Sequence, residues 1–455
     1  MAMMSINPAT GEKIQEYQEM SSEQAASIVA AAAQRFTEWR RSTFAERARL
    51  MRRTAELMRE RSEEYSRLMT LEMGKTIRDS RTEIEKCAWV CEYYAEHAEA
   101  FLAREDAPTE ASNSFVSYQP LGVILAVMPW NFPFWQFFRF AAPALMAGNC
   151  SVLKHSSNVT GSALAIESLL RDAGYPENVF RTLVIGSRGV ADVIRHPAVA
   201  AVTLTGSTPA GRAIAATAGE QLKPCVLELG GSDPYIVLED ADLEHAARTC
   251  VTSRLFNSGQ SCIAAKRFIV VEPVADEFER LFVEEMLSRV MGDPMDEASQ
   301  VGTQARVELR DELHEQVRRS IEAGAVCLLG GKVPPGPGAY YPPTVLSNVK
   351  PGMPAYDDEL FGPVAAIIRA RDEADAVRIA NDSFFGLGAA IFTRDLDRGT
   401  RIAEEEIEAG CVFVNDYVRS DPRLPFGGIK GSGFGRELSS FGIREFVNIK
   451  GIWVR

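Results

Sequence analysis

From Gly122 onward the chain alternates short apolar runs with stretches of helical periodicity, and that rhythm leaves few folds open. Residues 123–128, 150–154, 180–185 and 200–205 read as strands that are apolar almost throughout. Helical segments at 133–147, 161–172, near 190 and at 209–221 separate them. A strand apolar on both faces must be covered on both, and parallel neighbours need a crossover helix. Together these requirements predict an α/β fold with a doubly wound, Rossmann-type parallel sheet. A second strand–helix series starts near residue 228 and runs to 414, broken by a Pro/Gly-rich loop at 334–343.

Two regions stand outside this rhythm. Residues 22–103 are helical in pattern and charged on one side. Within them Gly74-Lys75-Thr76 lacks the upstream glycine and preceding strand of a phosphate loop, and reads as a helix-to-helix turn. Residues 112–119 alternate as a strand, and 446–454 form a second one; the two are predicted to pair as an arm that meets another subunit. The expected organisation is a cofactor-binding unit from 1–111 and 122–227, a catalytic unit from 228–425, and an oligomerisation arm from 112–121 and 439–455.

A chain of 455 residues with a formal charge of −13 and no basic stripe argues against nucleic acid. Its eight cysteines and five histidines are scattered without zinc spacing, so no metal is expected and a reducing compartment fits. No apolar run reaches the ~18 residues of a membrane span. A cytoplasmic protein with no membrane partner is expected.

The residues that carry chemistry fall at the joints of this pattern. Cys262 follows Asn257-Ser258-Gly259-Gln260-Ser261 in a polar turn between a helix and a strand, where a reactive thiol can be projected; a small core residue is the alternative. Asn131, in Pro129-Trp130-Asn131-Phe132-Pro133, follows the first parallel strand, and its amide can hold a developing oxyanion or cap the next helix. Glu228 ends an apolar strand before Leu229-Gly230-Gly231. A buried carboxylate there is either a raised-pKa general base or half of a salt bridge. Gly206-Ser207-Thr208-Pro209 links a strand to a helix whose free N–H groups favour phosphate, although the spacing is not the ordinary dinucleotide fingerprint.

In combination Asn131, Glu228 and Cys262 resemble the aldehyde dehydrogenase superfamily. So do Asn7-Pro8-Ala9-Thr10-Gly11, Lys154, Glu359-Leu360-Phe361-Gly362-Pro363 and Pro425-Phe426-Gly427-Gly428. Residues 225–238, Asp311-Glu312-Leu313-His314 and Ser432-Gly433-Phe434-Gly435-Arg436-Glu437-Leu438 are most similar to the short bacterial succinate-semialdehyde dehydrogenases. The resemblance implies NAD(P)-dependent oxidation of succinate semialdehyde to succinate. Cys262 would form a thiohemiacetal, with the oxyanion held by the Asn131 amide and the Cys262 N–H. After loss of hydride the resulting thioester would be hydrolysed by water that Glu228 activates. A broader aliphatic or a glutarate-semialdehyde dehydrogenase is the alternative within this chemistry. A non-catalytic scaffold relative is expected to lose one of the three residues, and a cofactor-free cysteine hydrolase leaves the nucleotide equipment unused.

The same resemblance places Lys154 and Ser157 by the adenosine ribose, Gly206 and Ser207 by the pyrophosphate and Glu359 by the nicotinamide ribose. Trp130, Leu229 and Phe361 would shape that site. NAD-preferring relatives carry Glu where this chain has Ser157, so NADP is expected to be preferred over NAD. Arg139 and Ser420 would bind the substrate carboxylate, with a structural ion pair as the other reading of Arg139. A second arginine used by some relatives is Phe256 here; Arg254, Arg419 and Arg423 are the substitutes in reach. The expected assembly is a homodimer or homotetramer acting on a small aldehyde.

Overall fold

The computed structural model describes residues 2–455, so Met1, the first residue of the expected cofactor-binding unit, lies outside the described residues. A six-stranded sheet contains, in order, Gly433–Phe434, Cys225–Glu228, Val199–Thr205, Val123–Met128, Cys150–His155 and Phe180–Thr182. The last five run parallel, and Gly433–Phe434 is antiparallel to its neighbour. Every residue of Val123–Met128 is buried, as a strand covered on both faces requires. This first strand sits mid-sheet. The next two lie on one side of it and the following two on the other, so the winding reverses beside it. Ligands of such sheets bind at the carboxyl ends of the strands next to the reversal.

Register sharpens this. Met128 lies beside His155, Val127 beside Leu204, and Thr205 beside Glu228. The segments that follow these strands, with Trp130, Asn131, Ser157, Ser207 and Leu229, therefore leave the sheet along one edge.

A seven-stranded sheet contains Val326–Leu329, Thr344–Ser347, Val364–Ala370, Arg267–Val271, Pro234–Val237, Gly388–Phe392 and Cys411–Val414, parallel except for Val326–Leu329. Its inner strands alternate between two cores. Tyr235, Val237, Phe268 and Val270 join the cluster that continues into the first sheet. Ile236, Ile269 and Ile391 join a second cluster. Cys262, Glu359 and Gly231 each precede a strand of this sheet, so they gather at its amino edge.

The charged N-terminal region is a set of helices, including Ile77–Phe101, and Gly74-Lys75-Thr76 is the turn that opens that helix. Asn113–Pro120 pairs antiparallel with Val447–Val454 over their whole lengths, as predicted, while residues 439–444 of the tail form a short helix. The outer edge of Val447–Val454 has no partner strand among the described residues, and Ile449 and Trp453 on it are exposed. No described helix is long and apolar enough to cross a membrane.

Candidate active site

Cys262 closes a turn that is strained and heavily tied down. Helix Leu243–Leu255 ends, and Asn257, Ser258 and Gly259 follow with φ of 54°, 56° and 76°. Two of these are not glycine, at a cost of ~1–3 kcal/mol each. Hydrogen bonds hold the shape. Asn257 Nδ2 donates to Asn131 O at 2.9 Å and Gln260 O at 3.0 Å. Gln260 Nε2 donates to Thr303 O at 3.0 Å, and its Oε1 accepts from Ala305 N at 2.8 Å. Lys266 Nζ donates to Ser261 O and Cys262 O at 2.9 and 2.8 Å. The Cys262 thiol itself makes no hydrogen bond among the described residues. Burial pushes it up to about 12, with Arg139 and Lys266 pulling against that. At neutral pH it is a thiol that needs a base.

Glu228 is the carboxylate that the sequence offered as a general base or as half of a salt bridge. It is 1% exposed, and both its carboxylate oxygens are without a hydrogen-bond partner among the described residues. Gly427 leaves room for it: a Cβ there would lie 2.8 Å from Glu228 Oε1. Burial, then the charge of Glu437, push Glu228 well above the usual carboxylate range, and Arg139 counters only in part. Arg139 is engaged elsewhere. Arg139 Nε is ion-paired with buried Glu437, its Nη2 lies 3.2 Å from Thr205 Oγ1, and its guanidinium lies 4.7 Å from the Phe426 ring centroid. The salt bridge that sequence allowed for Glu228 belongs to Glu437 instead.

Asn131 does not cap the following helix, Trp135–Met146. Glu83 Oε1 does so from another helix, accepting from Phe134 N at 2.8 Å and Trp135 N at 2.9 Å. Asn131 Nδ2 donates one hydrogen to Gln260 O at 3.1 Å, close to Cys262, and Gln136 Nε2 lies 3.5 Å from Asn131 Oδ1. An amide nitrogen has two hydrogens, so one stays free for an oxyanion. Lys75, ion-paired with Glu83, holds Asn131 O from behind at 3.3 Å.

The residues expected around the cofactor follow the strands of the first sheet or line the second. Ser207 precedes helix Thr208–Glu220 without a side-chain cap bond, which leaves its hydroxyl and the helix N–H groups available. Lys154 is half-buried, with no ion pair among the described residues, and burial lowers its pKa; Ser157 nearby in sequence is exposed. Glu359 accepts from Gly231 N at 3.0 Å and lies 3.4 Å from Lys266 Nζ. The Phe361 ring meets Trp130 edge-on at 5.6 Å. Leu229 is buried and donates its N–H to Ser432 O at 2.9 Å. A row of phosphate donors, an exposed hydroxyl beside an unpaired lysine and no acid at Ser157 fit a dinucleotide bearing a 2′-phosphate.

A cavity of about 200 Å³ opens onto Cys262 from the opposite side. Arg139, Ser420 and Phe256 all line it, Phe256 stacked on Phe132 at 5.5 Å. Of the possible substitutes for the missing arginine, Arg254 is buried against Gly259 O, Arg423 pairs with Asp421, and Arg419 pairs with Asp416 while lining the cavity. Sequence reasoning missed Lys86, which lines the same cavity from helix Ile77–Phe101. Nothing in Glu85-Lys86 distinguishes it from the exposed ion-pairing residues around it. It also missed Glu437 as the partner of Arg139, although Glu437 lies in a stretch that carried the resemblance.

The fold, the cysteine-bearing turn and the unpaired carboxylate point to one class, and comparison with known proteins shows it: the chain belongs to the aldehyde dehydrogenase family, whose model matches residues 1–452. Among its relatives is succinate-semialdehyde dehydrogenase [NADP(+)] 1 of Mycobacterium ulcerans, 50% identical over 458 residues and covering 100% of both chains. Succinic semialdehyde dehydrogenase from Streptococcus pyogenes, solved in complex with NADP+, superposes with a TM-score of 0.97 at 36% identity, again over 100% of both. The succinate-semialdehyde dehydrogenase structure from Burkholderia pseudomallei gives 0.97 at 33% identity over 100% of this chain and 94% of that one.

Proposed function

We propose that this protein oxidises succinate semialdehyde to succinate with NADP as the preferred acceptor. The observation that carries the chemistry is that Glu228 is buried with neither carboxylate oxygen hydrogen-bonded among the described residues, and that burial raises its pKa as a general base requires. The Cys262 thiol passes its proton to water, and the thiolate adds to the aldehyde carbon. The oxyanion forms between the free Asn131 N–H and the Cys262 backbone N–H. The nicotinamide, when bound, supplies the hydride acceptor. Glu228 then removes a proton from water as it attacks the thioester, the carbon–sulfur bond breaks and the acid leaves. This division of labour rests on residues 1–111 and 122–227 for the cofactor and 228–425 for catalysis. The 112–121 and 439–455 arm is proposed to join subunits of a cytoplasmic homodimer or homotetramer, supported by the exposed apolar residues on its free edge. The activities for which the relatives are named support the substrate and the cofactor. Following absorbance at 340 nm with succinate semialdehyde, glutarate semialdehyde and uncharged aldehydes tests it. The proposal fails if succinate semialdehyde is not the preferred substrate.

Cofactor choice has its own test. Ser157→Glu introduces a carboxylate beside the proposed ribose site, which repels a 2′-phosphate and accepts from a 2′-hydroxyl. The variant is expected to lose ~10- to 100-fold in kcat/KM for NADP, about the value of one hydrogen bond to a charged group. It is expected to gain on NAD. Unchanged preference would remove Ser157 from the ribose site.

Arg139 and Ser420 are proposed to form the substrate side of the pocket, but Arg139 does so as half of an ion pair. Arg139→Ala strands Glu437 and raises Glu228 further, so kcat/KM is expected to fall on charged and uncharged aldehydes alike. Loss of one partner of a buried pair costs ~3–5 kcal/mol of stability, which a thermal melt would show. A loss confined to the charged aldehyde would instead place Arg139 directly on the carboxylate.

A further inference from the structure

The cavity that includes Cys262 holds one cation, Lys86, that forms no ion pair among the described residues. Arg139 is taken by Glu437, and Arg419 by Asp416. The acids that approach the cavity are also committed or withdrawn. Glu83 is paired with Lys75, Asp421 with Arg423, and burial raises Asp79. Lys86 makes no ion pair among the described residues. Its Nζ donates to Ser420 Oγ at 2.7 Å and sits 4.2 Å from the Trp135 ring centroid. An ammonium has three hydrogens, and this arrangement uses one on a hydroxyl. Because Ser420 Oγ accepts from Lys86, its own hydrogen is turned elsewhere. Two adjacent donors, one of them cationic, therefore face the same small apolar-walled space.

We infer that Lys86, together with the Ser420 hydroxyl it orients, is the specificity-determining cation that receives the substrate's distal carboxylate. This rests on the proposed reaction and names the group that reads its substrate. It also accounts for how the pocket dispenses with an arginine at Phe256: the charge comes from the N-terminal helices instead of from the turn before Cys262. Burial and then Arg139 push the Lys86 ammonium down to about 7, against the weaker opposing pull of Cys87, Asp421 and Glu83. An anion arriving beside it restores the pairing.

The test is steady-state kinetics of the full-length enzyme with succinate semialdehyde and with butanal, an uncharged aldehyde of the same carbon count. Lys86→Met is expected to raise KM for succinate semialdehyde by ~10- to 100-fold, the value of a hydrogen bond to a charged group. Its kcat on butanal should stay within about twofold, since Lys86 touches none of the reacting atoms. Lys86→Arg should keep most of the preference for the charged substrate. Succinate should inhibit butanal oxidation competitively in the wild type and much more weakly in Lys86→Met. Equal losses on both aldehydes, or unchanged succinate inhibition, would overturn the role of Lys86 while leaving the proposed reaction standing. A wild type with no preference for succinate semialdehyde over butanal would sink both. If Lys86→Met does not fold, Lys86→Gln, closer in shape and still able to bond Ser420, carries the same comparison.

Discussion

Cys262→Ala is expected to abolish aldehyde-dependent reduction of NADP, with kcat falling by ~10⁶, the scale seen when a covalent nucleophile is removed. Stability should barely change. The thiol is half-buried and makes no hydrogen bond among the described residues, and the turn is held by Asn257, Gln260 and Lys266 through backbone atoms. Cofactor affinity, measured by fluorescence titration, should be retained, since the residues proposed to bind it lie on other segments. Residual turnover within tenfold of the wild type would mean that another group attacks the aldehyde. The same thiol predicts a pH dependence. It is pushed up to about 12 by burial, so the nucleophilic form is scarce near neutrality and becomes commoner as pH rises. Aldehyde oxidation should climb from pH 6 towards pH 9, and a flat profile would show that the bound state reorganises the site.

Glu228→Gln should separate the two halves of the reaction. The amide keeps the shape of the carboxylate but cannot take a proton from water, and loss of a general base costs ~10²- to 10⁴-fold. A rapid burst of reduced cofactor, up to one per active site, should be followed by a steady rate lower by that factor. The acylated enzyme should then be visible as an added mass on the peptide that carries Cys262. A variant that loses burst and steady state together would show Glu228 to be needed before the thioester, as the base for the thiol. The sign of the pH effect follows from the raised pKa. Glu228 is protonated and idle below it and ionised above it, so wild-type kcat rises with pH through that range. In Glu228→Gln that limb should vanish. Glu228→Gln should also be no less stable than the wild type, because a buried carboxylate without a partner stabilises nothing.

Much of this was legible in the chain. Apolar strands separated by helices required a parallel sheet covered on both faces, and short-range order was enough to find Val123–Met128, Cys150–His155 and Val199–Thr205. The carboxyl edge of such a sheet is a fixed address, so the segments around Asn131 and Ser207 stood out from their places in the repeat. Other assignments needed a resemblance. Cys262 lies before a strand of the second sheet, at its amino edge, where no general rule of α/β sheets directs attention. The expected pairing of residues 112–119 with 446–454 is found, with Asn113–Pro120 antiparallel to Val447–Val454. Lys75 was correctly read as part of a turn, but its support of Asn131 depends on a burial that its sequence neighbours do not announce.

What the sequence by itself determined is the alternation of elements and the polarity of each face, because these follow from backbone geometry and side-chain periodicity. Which charges meet was decided by the tertiary structure alone. Arg139 and Glu437 come from distant parts of the chain, and Glu228 is raised first by its burial and then by the charge of Glu437. Lys86 sits on a helix whose outer face is full of matched ions, and only packing against Trp135 and Ser420 turns it into the unmatched one. Electrostatic roles are set by distance and desolvation between groups far apart in sequence. No local pattern encodes them.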